Sequence, residues 1–410
     1  MDSALNSYNI YENVSAICPC CGGASFFSLL TFSDIPLSGH YRNTAGDPVT
    51  ASDLYFEGCV TCGLVRRVSH AKNEYIEKDR GTERQFPSYC EEIVDVISKH
   101  VSNKSGLIIE IGSNDGSFLN YLREKGFTNL LGIEPSNSLS IEARNKGLAI
   151  INDYFNSDIV DTIIKHNGNA EVILCRHTLE HVDEPAGFIR DIRMLLDEHG
   201  LLVLEVPDTT AIFEKMNIYE FWDEHVYYFQ KFCLNNLLAK SGFNSTVFKQ
   251  YPHLDTTNLL SYSSNNSIKG NHINVLDPQS MTGNQGLIMW KNFIHSVETF
   301  LDNVKRKLEK AKQPLYFIGA SHPQCNYANY FSVGHLIGYM IDDDPAKVGK
   351  IPPIRDTSAT IISTENFIND AKDGTVVTTG FGYKKWTKKI CQEAKKKNMD
   401  VIDPKIIASE

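Results

Sequence analysis

The chain lacks the features that would send it into a membrane or out of the cell. No apolar stretch approaches the roughly 18 residues needed to cross a bilayer. Residues Met1 to Ser15 offer neither a basic nor an apolar region, so no secretory signal is expected and a cytoplasmic location is. A basic excess is also missing: 50 acidic residues against 40 basic ones leave a net charge of −10. Phosphate neutralisation needs a basic face, which argues against nucleic acid as the main partner. A small anion can still be held by helix N-termini and one or two Lys or Arg. Ten cysteines in a long cytosolic chain are not a disulfide framework.

What is present is an ordinary globular composition, 42% apolar and 22% charged over 410 residues. That length suits two or three domains. Residues 1–72 hold paired cysteines and short β-like runs, and read as a small module. In 73–245 the apolar runs Leu107–Ile111, Leu130–Ile133, Val172–Leu174 and Leu201–Leu204 read as buried parallel strands alternating with amphipathic stretches, a doubly wound α/β domain. The segment 246–313 begins rich in Asn, Ser and Thr and reads as connecting strands and loops. It ends in a helix with Trp290, Ile294, Val297, Leu301, Val304 and Leu308 on one face, which predicts a long helix packing two domains together. In 314–410 a second βαβ pattern follows, with strands at Leu315–Ala320, Leu336–Asp342, Val376–Gly380 and Val401–Asp403. The predicted class is α/β: a Rossmann-like core, a small N-terminal module and a second Rossmann-like domain at the C-terminus.

Cys18-Pro19-Cys20-Cys21 and Cys59-Val60-Thr61-Cys62 are two C-x-x-C knuckles, each followed by glycine (Gly22, Gly63). Two such turns aim Cys18, Cys21, Cys59 and Cys62 at one tetrahedral Zn²⁺. With four thiolates and no open position, that zinc stabilises the fold and does not catalyse. Cys20 is an extra thiol that can compete as a ligand.

The most informative run is Leu107 to Leu119. A buried strand containing Glu110 enters the loop Gly112-Ser113-Asn114-Asp115-Gly116 and then a helix, so backbone groups can approach a ligand at a helix N-terminus. The spacing is G-x-x-x-G, not the G-x-G-x-x-G of dinucleotide folds. A second strand ends about twenty residues later in Glu134, where an acid can take both ribose hydroxyls. Tyr154 and Phe155 can cover an adenine ring. Cys175 to Val182, with His177 and His181, follows the next strand, where a sulfonium end would lie. Together these runs resemble the successive motifs of class I methyltransferases, which implies S-adenosylmethionine as cofactor.

Over nearly its full length the chain resembles the sugar C-methyltransferase family, which methylates carbon 3 of nucleotide-linked 4-keto-deoxysugars. The resemblance runs from the knuckles through Glu110–Gly116, Gly132-Ile133-Glu134-Pro135-Ser136, Tyr154-Phe155 and His181-Val182. It continues at Glu224-His225-Val226-Tyr227-Tyr228-Phe229 and at Asp342-x-x-Pro345-x-Lys347-x-Gly349-Lys350. It implies His225 as general base, Glu224 beside it to orient or tune the ring, and His181 as a second polar group over the reacting centre. A C–H next to a ketone needs such help, because it is far too weakly acidic to leave unaided at pH 7. The partner so implied is a small-molecule acceptor, a nucleotide-linked keto sugar, reached between the two α/β domains near Glu224, His225 and residues 321–326. Whether the protein is a monomer or a dimer is left open.

Three departures bear on the acceptor. Where the family has Tyr-His, this chain has Trp222-Asp223, so enolate stabilisation falls to another group, with Tyr75 and Tyr227 as candidates. The family's His-Gly-Gly-Ser-Leu-Arg reads His253-Leu254-Asp255-Thr256-Thr257-Asn258. The C-terminal glycine turn reads Gly319-Ala320-Ser321-His322-Pro323-Gln324-Cys325-Asn326, without the family's Lys-Gly-Asn. Lys347, Lys350 and Arg355 remain basic, with solvated surface as their plainer role. An O- or N-methyltransferase of another small metabolite is the alternative, and a module binding S-adenosylmethionine without turnover is a third reading.

Overall fold

A computed structural model describes residues 17–68, 89–101, 103–253, 256–265, 274–275, 280–281, 284–378 and 384–403, which form three sheets. Strands β1 (Phe26–Pro36), β2 (Ala51–Cys59) and β3 (Val65–Arg67) form an antiparallel meander at the N-terminal end.

The middle of the chain then alternates helix and strand. Its elements are α1 (Tyr89–His100), β4 (Ile108–Ile111), α2 (Ser117–Glu124), β5 (Leu130–Ile133), α3 (Asn137–Asn145), β6 (Ala149–Ile151), α4 (Ser157–Asn167), β7 (Ala170–Arg176), α5 (Pro185–Leu195) and β8 (Leu196–Pro207). After these come α6 (Thr209–Lys215), β9 (Tyr227–Tyr228), α7 (Lys231–Lys240), β10 (Ser245–His253), β11 (Thr256–Ser264), β12 (Asn274–Val275) and α8 (Gln285–Lys310). The central sheet has the order β6-β5-β4-β7-β8-β11-β10-β12. Strands β4 to β8 are parallel and β11 runs antiparallel to β8. Every residue of β4 is buried, as expected for a strand covered on both faces. The order reverses between β4 and β7, which opens a crevice at their C-terminal ends.

The hairpin β10–β11 differs from the sequence expectation. It belongs to the central sheet and is not a connector. Thr246, Ser261 and Ser263 are buried because they pair with each other and with backbone: Thr246 and Ser263 hydroxyls lie 2.8 Å apart across the hairpin, and the Ser261 hydroxyl donates to the Leu204 carbonyl at 3.4 Å. A stretch rich in Asn, Ser and Thr is here a satisfied strand pair.

The C-terminal sheet is parallel throughout, with order β15-β14-β13-β16-β17. It is built from β13 (Leu315–Ile318), α9 (His322–Tyr330), β14 (Ile337–Ile341), β15 (Thr360–Ile362), α10 (Thr364–Asp370), β16 (Thr375–Val377), α11 (Lys384–Lys396) and β17 (Asp400–Ile402). With 26 residues, α8 is about 39 Å long. Trp290, Phe293, Ile294, Val297, Phe300, Val304 and Leu308 are buried along it. The Trp290 indole N–H donates to the Cys59 carbonyl at 3.2 Å, while the same apolar cluster continues through Leu315 and Phe317 of the C-terminal sheet. The helix is a strut between the cysteine module and the last domain.

Candidate active site and metal centre

The four knuckle cysteines converge. Cys18 Sγ lies 3.6 Å from Cys62 Sγ and Cys21 Sγ 3.5 Å from Cys59 Sγ, with all four sulfurs within 4.8 Å of one another. Tetrahedral zinc with bonds of about 2.3 Å places neighbouring sulfurs about 3.8 Å apart, so the thiols fit that ion. Turn hydrogen bonds shape each knuckle, from Gly22 N–H to the Cys18 carbonyl at 2.8 Å and from Gly63 N–H to the Cys59 carbonyl at 3.0 Å. Cys20 does not join the four sulfurs; it is fully buried against Cys233 of α7.

On the donor side, the loop after β4 is bent by three positive φ angles, 71° at Gly112, 53° at Asn114 and 72° at Gly116. A Cβ on Gly112 would lie 2.3 Å from Thr178 Oγ1, and one on Gly116 2.4 Å from Leu148 Cδ1. Glycine is therefore demanded at both positions by conformation and by close approach. The Glu134 carboxylate accepts the Asn114 N–H at 2.8 Å and the Ser136 N–H at 2.9 Å, which fixes it beside the loop. Ser113 Oγ is buried with no hydrogen-bond partner among the described residues. An acid held at the end of β5 and an orphaned hydroxyl in a glycine loop fit a nucleoside's ribose. Tyr154 is 59% exposed, while Phe155 packs edge-on to Phe188 at 5.1 Å.

Between loop and cleft lies a buried polar network that sequence reading missed, apart from His177 and Glu110. Glu205 accepts from Arg176 Nε at 2.9 Å and from Asn258 Nδ2 at 2.7 Å, with the Tyr89 hydroxyl as a further donor. Arg176 is also 4.0 Å from Glu110. His177 stands 3.3 Å from Glu205 and 3.5 Å from Glu180. Burial opposes a charge on His177, but Glu205 and Glu180 outweigh it and raise its pKa to about 9. Burial likewise opposes the Glu205 carboxylate, yet His177 and Arg176 hold it well below the usual range. The signal was visible in the sequence: a single acid follows the apolar run Leu201–Leu204. Asn258, in the stretch that departs from the sugar-methyltransferase pattern, now has a place in this network.

Residues 219–228 meet all three sheets. Tyr227 and Tyr228 form β9, which adds to β3 of the cysteine module, and Arg67 Nε donates to the His225 carbonyl at 3.3 Å. Asp223 accepts the Ser38 hydroxyl at 2.5 Å and its N–H at 3.2 Å. From the C-terminal domain, Asn326 Nδ2 donates to the carbonyls of Tyr219 and Phe221 at 3.3 and 3.2 Å. The His322 ring stacks on Trp222 at 3.9 Å. From the central domain, the Val226 N–H donates to the Glu180 carbonyl at 2.8 Å, and His181 Nδ1 is 3.0 Å from the Glu224 carbonyl. A carbonyl only accepts, so Nδ1 carries the hydrogen and Nε2 of neutral His181 keeps its lone pair. The His181 and His225 rings lie 4.8 Å apart.

The structure thus brings His181, Glu224 and His225 together, one short helical turn beyond Thr178, which abuts Gly112. Tyr75 lies outside the described residues. Tyr227 is a poor source of a free hydroxyl, since its OH donates to the Asp183 carbonyl at 3.2 Å. The Tyr228 hydroxyl is engaged with the Trp222 backbone. Two of the basic residues read as solvated surface have partners: Lys347 pairs with Asp342 and Asp344, and Arg355 donates to the Ser33 carbonyl of the cysteine module at 3.0 Å.

Residues 82–246 match the sequence pattern of a methyltransferase domain. Over 235 residues the chain is 24% identical to the C-methyltransferase NovU of Streptomyces niveus, a match covering 55% of each protein. The chain thus spans about half the length of this curated relative. Among solved structures, the magnesium protoporphyrin IX methyltransferase of Synechocystis PCC 6803 with bound S-adenosylhomocysteine is 16% identical. The overlap covers 45% of this chain and 90% of that one, with a TM-score of 0.33. A S-adenosylmethionine-dependent methyltransferase from Archaeoglobus fulgidus is 12% identical, over 43% of this chain and 92% of that one, at a TM-score of 0.36. These superpositions are too loose to say anything of substrate. The central domain is a methyltransferase domain of the S-adenosylmethionine-dependent class I type, as its sequence match and strand order define. No helix among the described residues is long and apolar enough to cross a membrane.

Proposed function

We propose that the protein is an S-adenosylmethionine-dependent C-methyltransferase acting on carbon next to a ketone, in a nucleotide-linked 4-keto-deoxysugar. One observation supports this above the rest: the segment that carries Glu224 and His225 is held by contacts from all three domains, with the His181 ring 4.8 Å from that of His225. Such rigidity serves a base that must meet a weakly acidic C–H in one orientation. Neutral His225 takes the proton from the carbon next to the carbonyl, and Glu224 stabilises the imidazolium. His181 Nε2 is a second proton acceptor within the same wall. The enolate carbon is then the nucleophile. Glu134 and the 112–116 loop would hold S-adenosylmethionine, which would supply the electrophilic methyl group and leave as S-adenosylhomocysteine when the S–CH3 bond breaks. Cys18, Cys21, Cys59 and Cys62 would hold a structural zinc whose module carries β3, the strand that holds β9 and with it the His225 segment. Four thiolates also fit a low-potential ion such as iron, and metal analysis separates the two.

The test supplies the purified protein with a trideuteromethyl donor and thymidine-, guanosine- and cytidine-linked 4-keto-deoxysugars, with products read by mass spectrometry. One labelled methyl on carbon is expected, and His225→Ala should lower the rate about 10²- to 10⁴-fold while donor affinity stays the same. Label on oxygen or nitrogen, with activity surviving His225→Ala, would instead establish the alternative class.

A further inference from the structure

Glu180 plays no part in the reaction as derived, yet it lies in the wall of the site. It is 1% exposed, and its Oε2 has no hydrogen-bond partner among the described residues. One carboxylate oxygen of Glu180 and one ring nitrogen each of His181 and His225 lie within 4.8 Å of one another. We propose that Glu180, His181 and His225 form a second metal site, distinct from the four thiols, that takes a first-row divalent ion of the Co²⁺, Ni²⁺ or Zn²⁺ type.

Three features carry this. The donor set, two imidazoles and a carboxylate on one side of a cleft, is the facial arrangement that suits borderline divalent ions and leaves coordination positions open. His181 is already oriented as a ligand: its Nδ1–H is fixed on the Glu224 carbonyl, and this backbone contact leaves the Nε2 lone pair for the metal. The surrounding charge is favourable as well. Glu110, Glu180 and Glu205 meet Arg176 and His177 in one connected network, in which acidic side chains outnumber basic ones. An orphaned buried carboxylate oxygen is costly, and a bound cation would satisfy it.

The consequence rests on the proposed reading of His225. A metal on its ring nitrogen takes the same lone pair that removes the proton, so metal occupancy and deprotonation exclude each other. The ion is then an inhibitor of the methyl transfer and not its helper.

The experiment loads the full-length protein with zinc, removes excess metal, and titrates Co²⁺. One further equivalent is expected at micromolar Co²⁺, with weak visible absorption and no near-ultraviolet thiolate band. Glu180→Gln and, separately, His181→Gln should each weaken it more than about tenfold, with unchanged circular dichroism. Methyl transfer by the unmodified protein should fall in step with the Co²⁺ signal and return on adding a weak chelator. No extra equivalent, or one that both variants retain, overturns the site even if His225→Ala shows the base to be right. Binding with the expected spectrum but without inhibition upholds the site and counts against His225 as base.

Discussion

The two parallel sheets repeat one device and use it differently. In each, the first strand runs into a glycine turn, and an acid just past the second strand accepts a backbone N–H from that turn. Glu134 accepts from Asn114 at 2.8 Å, and Asp342 accepts from Ala320 at 2.9 Å. In the central sheet the turn keeps an orphaned Ser113 hydroxyl and borders the crevice. In the C-terminal sheet the same place is filled by the protein. Lys347 lies 3.5 Å from Asp342, the Tyr41 hydroxyl donates to the Ala320 carbonyl at 2.5 Å, and Ser321 and Gln324 close a capping box on α9. A shared turn does not make a shared site: the first is open to a nucleoside, and the second is a scaffold that presents His322 to the cleft.

The largest effect expected comes from the zinc that Cys18, Cys21, Cys59 and Cys62 would hold on the opposite side of that cleft. Structural zinc contributes on the order of 10 kcal/mol to small modules. Removing it, or making Cys59→Ser, should therefore abolish cooperative melting of the module and methyl transfer together. The check is zinc content against calorimetry; a zinc-free protein that melts normally would show that the staple between β3 and β9 stands without it. Next in size, Gly112→Ala should weaken S-adenosylmethionine binding more than about 100-fold, because the new Cβ would meet Thr178 Oγ1 at 2.3 Å in a loop that must stay bent. Gly319→Ala meets only the flexible Gln324 side chain, at 3.0 Å. It should cost about 1–3 kcal/mol for its left-handed conformation and leave donor affinity alone. Calorimetric titration of both variants decides; equal losses would break the contrast between the turns.

A smaller effect tests whether the filled turn builds the acceptor wall. The stack of His322 on Trp222, worth about 0.5–1.5 kcal/mol, predicts that His322→Ala raises the acceptor KM about two- to tenfold. Donor affinity should not change, which two separate titrations would show.

Much of this was legible in the sequence because the signals were local. Each C-x-x-C knuckle, a strand running into a glycine loop, and an apolar stripe on α8 declare themselves within one short stretch of chain or one helix. The reading failed where partners come from far away. The segment with β10 and β11 read as connecting strands and loops, and its place in the central sheet was not legible, because Thr246 finds Ser263 only once the hairpin closes. Asp223 looked like a lost His until Ser38, from another domain, supplied its partner. Arg355 looked solvated because the Ser33 carbonyl it meets belongs to another domain, at the far end of the sequence.

The smallest expected effect is a pH dependence on the open side alone. His177 has its pKa raised to about 9, with Glu205 and Glu180 as the cause, against about 6.5 in an unfolded chain. A raised value means that the folded state holds the proton more tightly. The stabilisation is therefore complete below about pH 6.5 and is lost as pH rises through about 9. Glu205 is shifted the other way, so its contribution survives in alkali and disappears only as pH falls. The His177 ring is 38% exposed, and solvent screening keeps the effect modest. Between about pH 8 and 10 the thermal midpoint should fall more steeply for the unmodified protein than for His177→Gln, which has no proton to lose. Parallel curves would mean that His177 is neutral in the folded state, and that the network's cation is Arg176 alone.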